Sequence, residues 1–179
     1  IIGTGKIGRS LADICEGFGM NIIGYDPYES PEFAGKYVTL EELLRESDII
    51  SLHCPLTREN KHLINEKTIE KMKNGVYIIN TSRGQLIDTM ALMNGLKSGK
   101  IGAAGLDVYE EETSLFFEDY SDEIIWDDKL STLISMPNVI VTSHQAFLTR
   151  EALSSIAETT VNNFLSYFAG EKLENEITV

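Results

Sequence analysis

The sequence has 179 residues, enough for one sizeable domain, and its 42% hydrophobic and 24% charged content is ordinary for a soluble globular protein. A formal net charge of −13 argues against non-specific binding to nucleic acid or to an anionic membrane, so neither partner is expected. The cysteines, Cys15 and Cys54, are too few for a disulfide framework and lack metal-ligand spacing. We therefore expect no metal site and a reducing, cytoplasmic setting.

The first stretch of the chain is its strongest functional signal, because Ile1–Ile2 end a strand and three glycines follow with the spacing G-x-G-x-x-G. Gly3 permits a tight turn, Gly5 lets a pyrophosphate approach the backbone, and Gly8 allows the next helix to pack closely on the strand. The start of that helix offers N–H groups and a positive dipole to an anion. The helix is expected to bury one apolar face, made of Ile7, Leu11, Ile14, Cys15 and Phe18.

An acid follows the second predicted strand, residues 21–25, as the dinucleotide-binding pattern requires. The Asp26 carboxylate can accept both ribose hydroxyls of adenosine and would repel a 2′-phosphate, and no Arg or Lys follows within several residues. The cofactor predicted is therefore NAD rather than NADP. The structural alternative for Asp26 is a turn former before Pro27.

The remaining elements alternate between helices and strands, with a capping box at Thr39 opening a helix through Arg45. Strands are predicted at 48–53, 76–80, 101–106 and 139–142, and further helices at 65–72, 88–98 and from Thr149 to Gly170. Residues 110–129 are acidic and aromatic without a clear period, so we expect an excursion there. The alternation predicts an α/β fold, a Rossmann-type doubly wound parallel sheet.

Ligands of such sheets bind beyond the carboxyl ends of the strands. The polar and reactive residues predicted there are Asp26, His53, Cys54, Pro55, Thr81, Ser82, Arg83, Asp107 and His144.

Three kinds of side chain at this edge favour oxidoreductase chemistry on a small acid. The Arg83 guanidinium can clamp a carboxylate, and His144 can exchange a proton with a hydroxyl near neutral pH. A carboxylate bonded to that imidazole would hold its orientation, but spacing does not choose among Glu110, Glu111 and Glu112. The structural alternatives are a surface arginine, a histidine at a helix entry and a solvated acidic loop.

The other two histidines are weaker candidates. His53 ends a strand and could line a cofactor groove, and His62 is expected at the surface.

The sequence resembles the D-isomer-specific 2-hydroxyacid dehydrogenases, and within them the branch of bacterial fermentative D-lactate dehydrogenases. The matching segments keep the family's order and spacing: Gly3–Gly8, Gly24–Tyr28, Ser51–Thr57, Asn80–Gly84, Leu106–Glu112, Leu115–Asp119 and His144–Phe147. The resemblance implies that Arg83, Glu112 and His144 are the catalytic residues. It also implies a cofactor site made of Gly3, Gly5, Lys6, Ile7, Gly8, Asp26, Cys54, Pro55, Asn60, Thr81, Ser82, Arg83 and Asp107.

The implied function is NAD-dependent reduction of a small 2-oxo acid, pyruvate above all, to the D-2-hydroxy acid. The alternatives are a non-catalytic NAD-sensing corepressor on the same fold, or a dehydrogenase for a bulkier 2-oxo acid. Ser143 and Gln145 depart from residues common in the wider family. Because family members are nearly twice as long, residues 1–148 are predicted to form the NAD-binding domain. Residues 149–179 are predicted to belong in part to an absent substrate domain, and the implied assembly is a dimer or higher homo-oligomer.

Overall fold

Parallel strands alternate with helices in the computed structural model of the protein, which describes residues 1–112 and 127–177. The described chain divides into two compact units, Ile1–His144 and Gln145–Val179. Within the described residues no helix is both long and apolar enough to cross a membrane.

The first unit contains all of the strands described. In chain order its elements are α1 (Lys6–Gly17), β1 (Ile23–Gly24), β2 (Lys36–Tyr37), α2 (Leu40–Glu46), β3 (Ile49–Leu52), α3 (Glu66–Lys71), β4 (Val76–Asn80), a 3-10 turn (Gly84–Leu86), α4 (Thr89–Ser98), β5 (Ile101–Leu106), α5 (Asp128–Ser135) and β6 (Val139–Val141).

The strands form two parallel sheets that meet at a single residue. β1 pairs with β2, and a four-stranded sheet has the order β3-β4-β5-β6. Ile2 forms parallel bridges to both Tyr25, just after β1, and Leu52, the last residue of β3. The chain therefore reverses its direction of winding at Ile2, as in a doubly wound sheet. This confirms the predicted fold class. At Ile2 itself the strands are joined by isolated bridges, whereas the pairing within each of the two sheets is regular.

The core lies where helices cover this sheet. Ile50 and Leu52 of β3 and Ile78 of β4 have no exposed side-chain surface, and they pack with Leu43 of α2 and Ile101 of β5. Strands buried on both faces are typical of a parallel sheet flanked by helices.

Local capping signals place most of the helix ends. Thr39 and Glu42 form the predicted capping box of α2. Asn65 and Asp88 cap α3 and α4, and Gly99 closes α4 with a φ of +76°. These boundaries are confirmed because each depends on residues within one turn of the helix end.

The predicted buried face of α1 is wrong for three of its five residues, and the other two, Leu11 and Cys15, are half-buried. Ile7, Ile14 and Phe18 are 69%, 58% and 77% exposed, whereas the buried residues of the helix are Gly8 and Ala12. The glycine turn brings the helix so close to the sheet that only small residues fit between them. Ile7, Ile14 and Phe18 therefore lie on the outer side.

Besides the 3-10 turn, one strand and one helix of the described residues were not predicted from the sequence. β2 has only two residues, too few to show a period. Helix α5 begins at Asp128, at the end of the stretch expected to be irregular, and Asp127 caps it through a hydrogen bond from the Leu130 N–H.

The second unit consists mainly of α6, Arg150–Ala169, capped by Thr149 and ended by Gly170 at a φ of +67°. Both ends are where the sequence predicted them. The apolar side chains of Leu153, Ile156 and Phe164 are 44%, 52% and 61% exposed.

Replacing Gly8 by Ala is expected to lower the free energy of unfolding by about 1–3 kcal/mol, the usual cost of overpacking. A Cβ at Gly8 would lie 2.1 Å from the carbonyl oxygen of Gly3, and backbone there has little room to move. Urea unfolding measures the change. Gly17 is the matched control, since a Cβ at this position of the same helix meets no atom within 4 Å. Equal stability of Gly8→Ala and Gly17→Ala would contradict the close approach.

Candidate active site

The glycine turn forms the first wall of the site. Gly3 has a φ of +91°, and a Cβ there would lie 2.5 Å from the backbone nitrogen of Cys54. A Cβ at Gly5, in contrast, would meet no atom within 4 Å. Gly5 is also the N-cap of α1, whose first turn contains no acidic residue. The backbone here thus leaves room for a pyrophosphate at a helix N-terminus, which favours anions.

The carboxylate of Asp26 is fixed beside this turn. Its Oδ2 accepts a hydrogen bond from the Thr4 N–H at 2.7 Å, and its Oδ1 accepts from the Tyr28 N–H at 2.9 Å. The Thr4 hydroxyl in turn lies 2.8 Å from the Tyr37 hydroxyl. The hydrogen bond from the Tyr28 N–H corresponds to the turn-forming role that the sequence offered as the alternative for Asp26. The two roles are compatible, because the turn itself holds the carboxylate at the end of β1.

The loop after β3 is held by side-chain hydrogen bonds of its own and by one from the loop after β4. The Asn60 amide donates to the Pro55 carbonyl at 2.8 Å and accepts from the Thr57 N–H at 2.7 Å. The Ser82 hydroxyl donates to the Cys54 carbonyl at 2.6 Å. Asn60 and Ser82 therefore shape the loop that faces the glycine turn. Burial raises the pKa of the Cys54 thiol, so it stays protonated and neutral.

Arg83 follows β4 on a closely packed segment. Its carbonyl accepts a hydrogen bond from the Asn80 side chain at 2.9 Å, and its guanidinium is exposed, donating to the Ser82 carbonyl at 2.7 Å. A Cβ on the next residue, Gly84, would lie 2.0 Å from the carbonyl oxygen of Tyr109. The segment that holds Arg83 is thus pressed against the loop that follows β5.

Asp107 connects the end of β5 to the segment after β6. The Asp107 side chain is buried, and the Thr142 hydroxyl donates to it. The Asp107 carbonyl accepts a hydrogen bond from the His144 N–H at 2.7 Å. His144 itself has a φ of +52°, a conformation uncommon outside glycine, and these bonds hold it there. Thr142 was not singled out from the sequence, although its place at a strand end was visible.

Glu112 is the acid that meets His144. One carboxylate oxygen, Oε1, lies 3.4 Å from His144 Nδ1, and the two side chains are 13% and 33% exposed. The other oxygen, Oε2, accepts from the Tyr109 N–H at 3.0 Å. Glu111 instead pairs with Lys129, and Glu110 with His62. The Glu112 carboxylate is therefore the acid of the three that lies beside His144 Nδ1.

The predicted site residues occupy two kinds of position, just after a strand or exposed near the glycine turn and the loop after β4. Asp26, Arg83, Glu112 and His144 all follow strands at the carboxyl edge, with β4, β5 and β6 adjacent in the sheet. Thr81 is exposed in the loop after β4, and Lys6 and Ile7 are exposed in the first turn of α1. The segment Leu115–Asp119 lies outside the described residues.

His62 differs from what the sequence suggested, whereas the place of His53 beside a cofactor stays a prediction. His53 lies 2.8 Å from the Ser51 hydroxyl, and burial lowers its pKa, which keeps the imidazole neutral. His62 was expected at the surface, but it lies against Glu110 with about one third of its side chain exposed, at 34%.

Comparison with known proteins identifies the family. Residues 1–146 match the model of the D-isomer specific 2-hydroxyacid dehydrogenase, NAD binding domain. The chain belongs to the D-isomer-specific 2-hydroxyacid dehydrogenases. What it contains is the NAD-binding domain of that family, as the sequence resemblance implied.

Curated relatives agree with this assignment. A 2-hydroxyacid dehydrogenase homolog of Haemophilus influenzae is 54% identical over 178 residues, covering 98% of this chain and 54% of the relative. D-lactate dehydrogenase of Escherichia coli is 53% identical over 180 residues, covering 99% of this chain and 55% of the relative. The chain thus spans about half the length of these relatives.

A solved relative shows the same fold with the cofactor. The D-isomer specific 2-hydroxyacid dehydrogenase of Lactobacillus delbrueckii ssp. bulgaricus, in its NAD complexed form, superposes with a TM-score of 0.90 at 34% identity. The match covers 98% of this chain and 54% of that one. The glycine turn described above, with open space at Gly5, fits such a dinucleotide.

Proposed function

We propose that this chain is the cofactor-binding half of an NAD-dependent D-2-hydroxyacid dehydrogenase that interconverts pyruvate and D-lactate. The observation that supports the proposal most strongly is the Glu112–His144 pair, 3.4 Å apart at the carboxyl edge of the NAD-binding sheet. An imidazole held by a carboxylate is suited to exchange a proton with a substrate oxygen. A non-catalytic NAD sensor has no need of this pair, and the relatives named dehydrogenases support the enzyme.

The three catalytic candidates divide the chemistry. Bound NAD supplies the hydride acceptor, and its reduced form the hydride donor. The Arg83 guanidinium binds the substrate carboxylate through two parallel hydrogen bonds. His144 Nε2 donates a proton to the carbonyl oxygen during reduction and removes it during oxidation. The Glu112 carboxylate, beside Nδ1, keeps the ring in position.

The cofactor site comprises the glycine turn and the loops that face it. Lys6 and Ile7 begin the helix whose N–H groups bind the pyrophosphate, and Asp26 accepts the adenosine ribose hydroxyls. Cys54, Pro55 and Asn60 lie in the loop that packs on Gly3. Further contacts are expected from Thr81, Ser82, Arg83 and Asp107.

Replacing Asp26 by Ser is expected to weaken the preference for NADH over NADPH by at least about tenfold in Kd, since the charge that repels a 2′-phosphate is lost. Fluorescence titration with both dinucleotides measures the ratio. Asp48 offers a matched control, because its exposed carboxylate pairs with Lys73. An unchanged ratio in Asp26→Ser would exclude this carboxylate from the ribose site.

We also propose that residues 149–179 belong in part to a substrate domain formed by a longer chain. The exposed apolar side chains of α6 support this, since a full-length protein could cover them. A cytoplasmic fermentative enzyme that acts as a dimer or higher homo-oligomer is the corresponding proposal for the whole protein.

A steady-state screen of 2-oxo acids with the full-length protein and NADH tests the function. Pyruvate is expected to give the highest kcat/KM, measured from the loss of NADH absorbance, with bulkier 2-oxo acids slower. If the protein binds NADH but turns over no 2-oxo acid, the dehydrogenase function is rejected in favour of an NAD-sensing protein.

A further inference from the structure

Glu110 is the centre of a hydrogen-bonded cluster that the catalytic chemistry does not use. One carboxylate oxygen lies 2.6 Å from His62 Nε2. The other accepts from the Thr89 hydroxyl at 2.8 Å and from the Thr89 N–H at 3.3 Å. The cluster therefore ties together three segments that are distant in sequence: the loop before α3, the start of α4 and the loop after β5.

The Glu110 carboxylate is charged although most of its side chain is buried. The Glu110 side chain is 19% exposed, low for an acid. Burial by itself would raise the pKa of Glu110, but the hydrogen bonds from His62 and Thr89 outweigh it and lower the pKa below its ordinary value. The carboxylate is thus ionised at neutral pH and acts only as an acceptor, so His62 Nε2 must be the donor.

His62 is itself held in a costly conformation. Its φ is +54°, and its backbone is fixed by bonds from its N–H to the Gln85 carbonyl at 2.8 Å and from the Asn65 side chain to its own carbonyl at 2.7 Å. A strained residue persists where its surroundings require it. The imidazole on this backbone lies with its Nε2 beside the Glu110 carboxylate.

The cluster is joined to the acid/base pair through a short turn. Glu110 directly follows Tyr109, whose N–H donates to Glu112 Oε2 at 3.0 Å and whose carbonyl accepts from the Glu112 N–H at 3.3 Å. The buried Tyr109 hydroxyl donates to Asp127 at 2.9 Å, which fixes the same turn from its other side. Glu110 and the Glu112 carboxylate beside His144 thus belong to one hydrogen-bonded turn.

We propose that Glu110, held by His62 and Thr89, is a positioning residue that sets the place of Glu112 against His144. The inference rests on the proposed dehydrogenase function. It assigns to the first acid of the Glu110–Glu112 run a role distinct from that of the third, and it gives His62 a function away from the substrate.

A double-mutant cycle in the full-length enzyme tests the proposal. Glu110→Ala is expected to lower kcat for pyruvate reduction about ten- to a hundredfold, because small displacements of catalytic groups are costly. In the Glu112→Ala background the same change is expected to lower kcat less than about twofold, since a residue that acts through Glu112 has nothing left to position. Glu110→Gln, which keeps an acceptor oxygen, recovers part of the loss.

His62→Asn provides an independent arm should Glu110→Ala fail to fold, because Asn tolerates a positive φ. It is expected to reproduce the kcat loss and the same dependence on Glu112. Glu111→Ala is the matched control, since the Glu111 side chain is 56% exposed and pairs with Lys129. Its kcat is expected to stay near the wild-type value.

The outcomes separate two failures. A wild-type enzyme that binds NADH but reduces no 2-oxo acid rejects the proposed function, and this inference with it. If the wild type is active but Glu110→Ala lowers kcat equally in both backgrounds, positioning through Glu112 is rejected. An unchanged kcat in the Glu110→Ala variant rejects it as well. The Kd for NADH, measured on every variant, is expected to stay within about twofold of wild type, because the glycine turn is untouched.

Discussion

Replacing His144 by Asn is expected to lower kcat for pyruvate reduction by about 10²- to 10⁴-fold, the contribution typical of general acid–base catalysis. Without the imidazole the proposed proton donor for the substrate oxygen is lost as hydride arrives. Asn is the informative substitution, because His144 has a φ of +52° and Asn adopts that conformation more easily than Ala. The bond from the residue 144 N–H to the Asp107 carbonyl can then persist.

Single-turnover and steady-state kinetics give kcat, and fluorescence titration gives the Kd for NADH. The Kd is expected to stay within about twofold of wild type, since the proposed dinucleotide contacts lie mainly at the glycine turn and Asp26. Near-normal turnover in His144→Asn would remove His144 from the role of acid/base. A parallel loss of NADH affinity would indicate misfolding at the carboxyl edge instead.

Replacing Arg83 by Gln is expected to lower kcat/KM for pyruvate by about 10²- to 10⁴-fold. Each hydrogen bond between charged groups is worth about 1.5–3 kcal/mol, and a guanidinium forms two with a carboxylate. The exposed guanidinium of Arg83 is free of any carboxylate partner among the described residues, so a substrate need not displace one. The loss should appear in both KM and kcat, because the clamp also orients C2.

Arg45→Gln is the matched control for Arg83→Gln. Arg45 lies in the last turn of α2, and its exposed guanidinium pairs with Glu46. Its kcat/KM is expected to equal that of wild type. A similar effect of both substitutions would indicate a general change in charge rather than a carboxylate clamp.

The sequence was sufficient for features that depend on neighbours within one turn. The capping boxes at Thr39 and Asn65 and the left-handed Gly99 each satisfy backbone groups locally, so spacing alone located the helix ends. The parallel winding followed from the alternation of helices and apolar strands.

Burial in α1 depended instead on distance to the sheet, which no local pattern encodes. The turn at Gly3 brings Gly8 against it, so the inner face needs small residues, and Ile7, Ile14 and Phe18 lie outside. Likewise α5 was missed because an acidic and aromatic stretch has no period, although Asp127 was available as a capping signal.

Spacing could not decide among the three consecutive acids, because the turn that follows Tyr109 directs each of their side chains to a different partner. The structure brings Glu112 to His144, Glu110 to His62 and Glu111 to Lys129. Family resemblance pointed to Glu112 in advance. It gave no indication that Glu110 and His62 form a pair, since their contact joins residues 48 positions apart.

A crystal structure of the full-length protein with NAD and oxamate, an unreactive analogue of pyruvate, tests the catalytic arrangement most directly. We expect the Arg83 guanidinium to contact the oxamate carboxylate and His144 Nε2 to lie about 2.6–3.2 Å from its amide-carbonyl oxygen, with Glu112 still on Nδ1. Oxamate bound elsewhere, or these three side chains directed away from the bound dinucleotide, would contradict the dehydrogenase function.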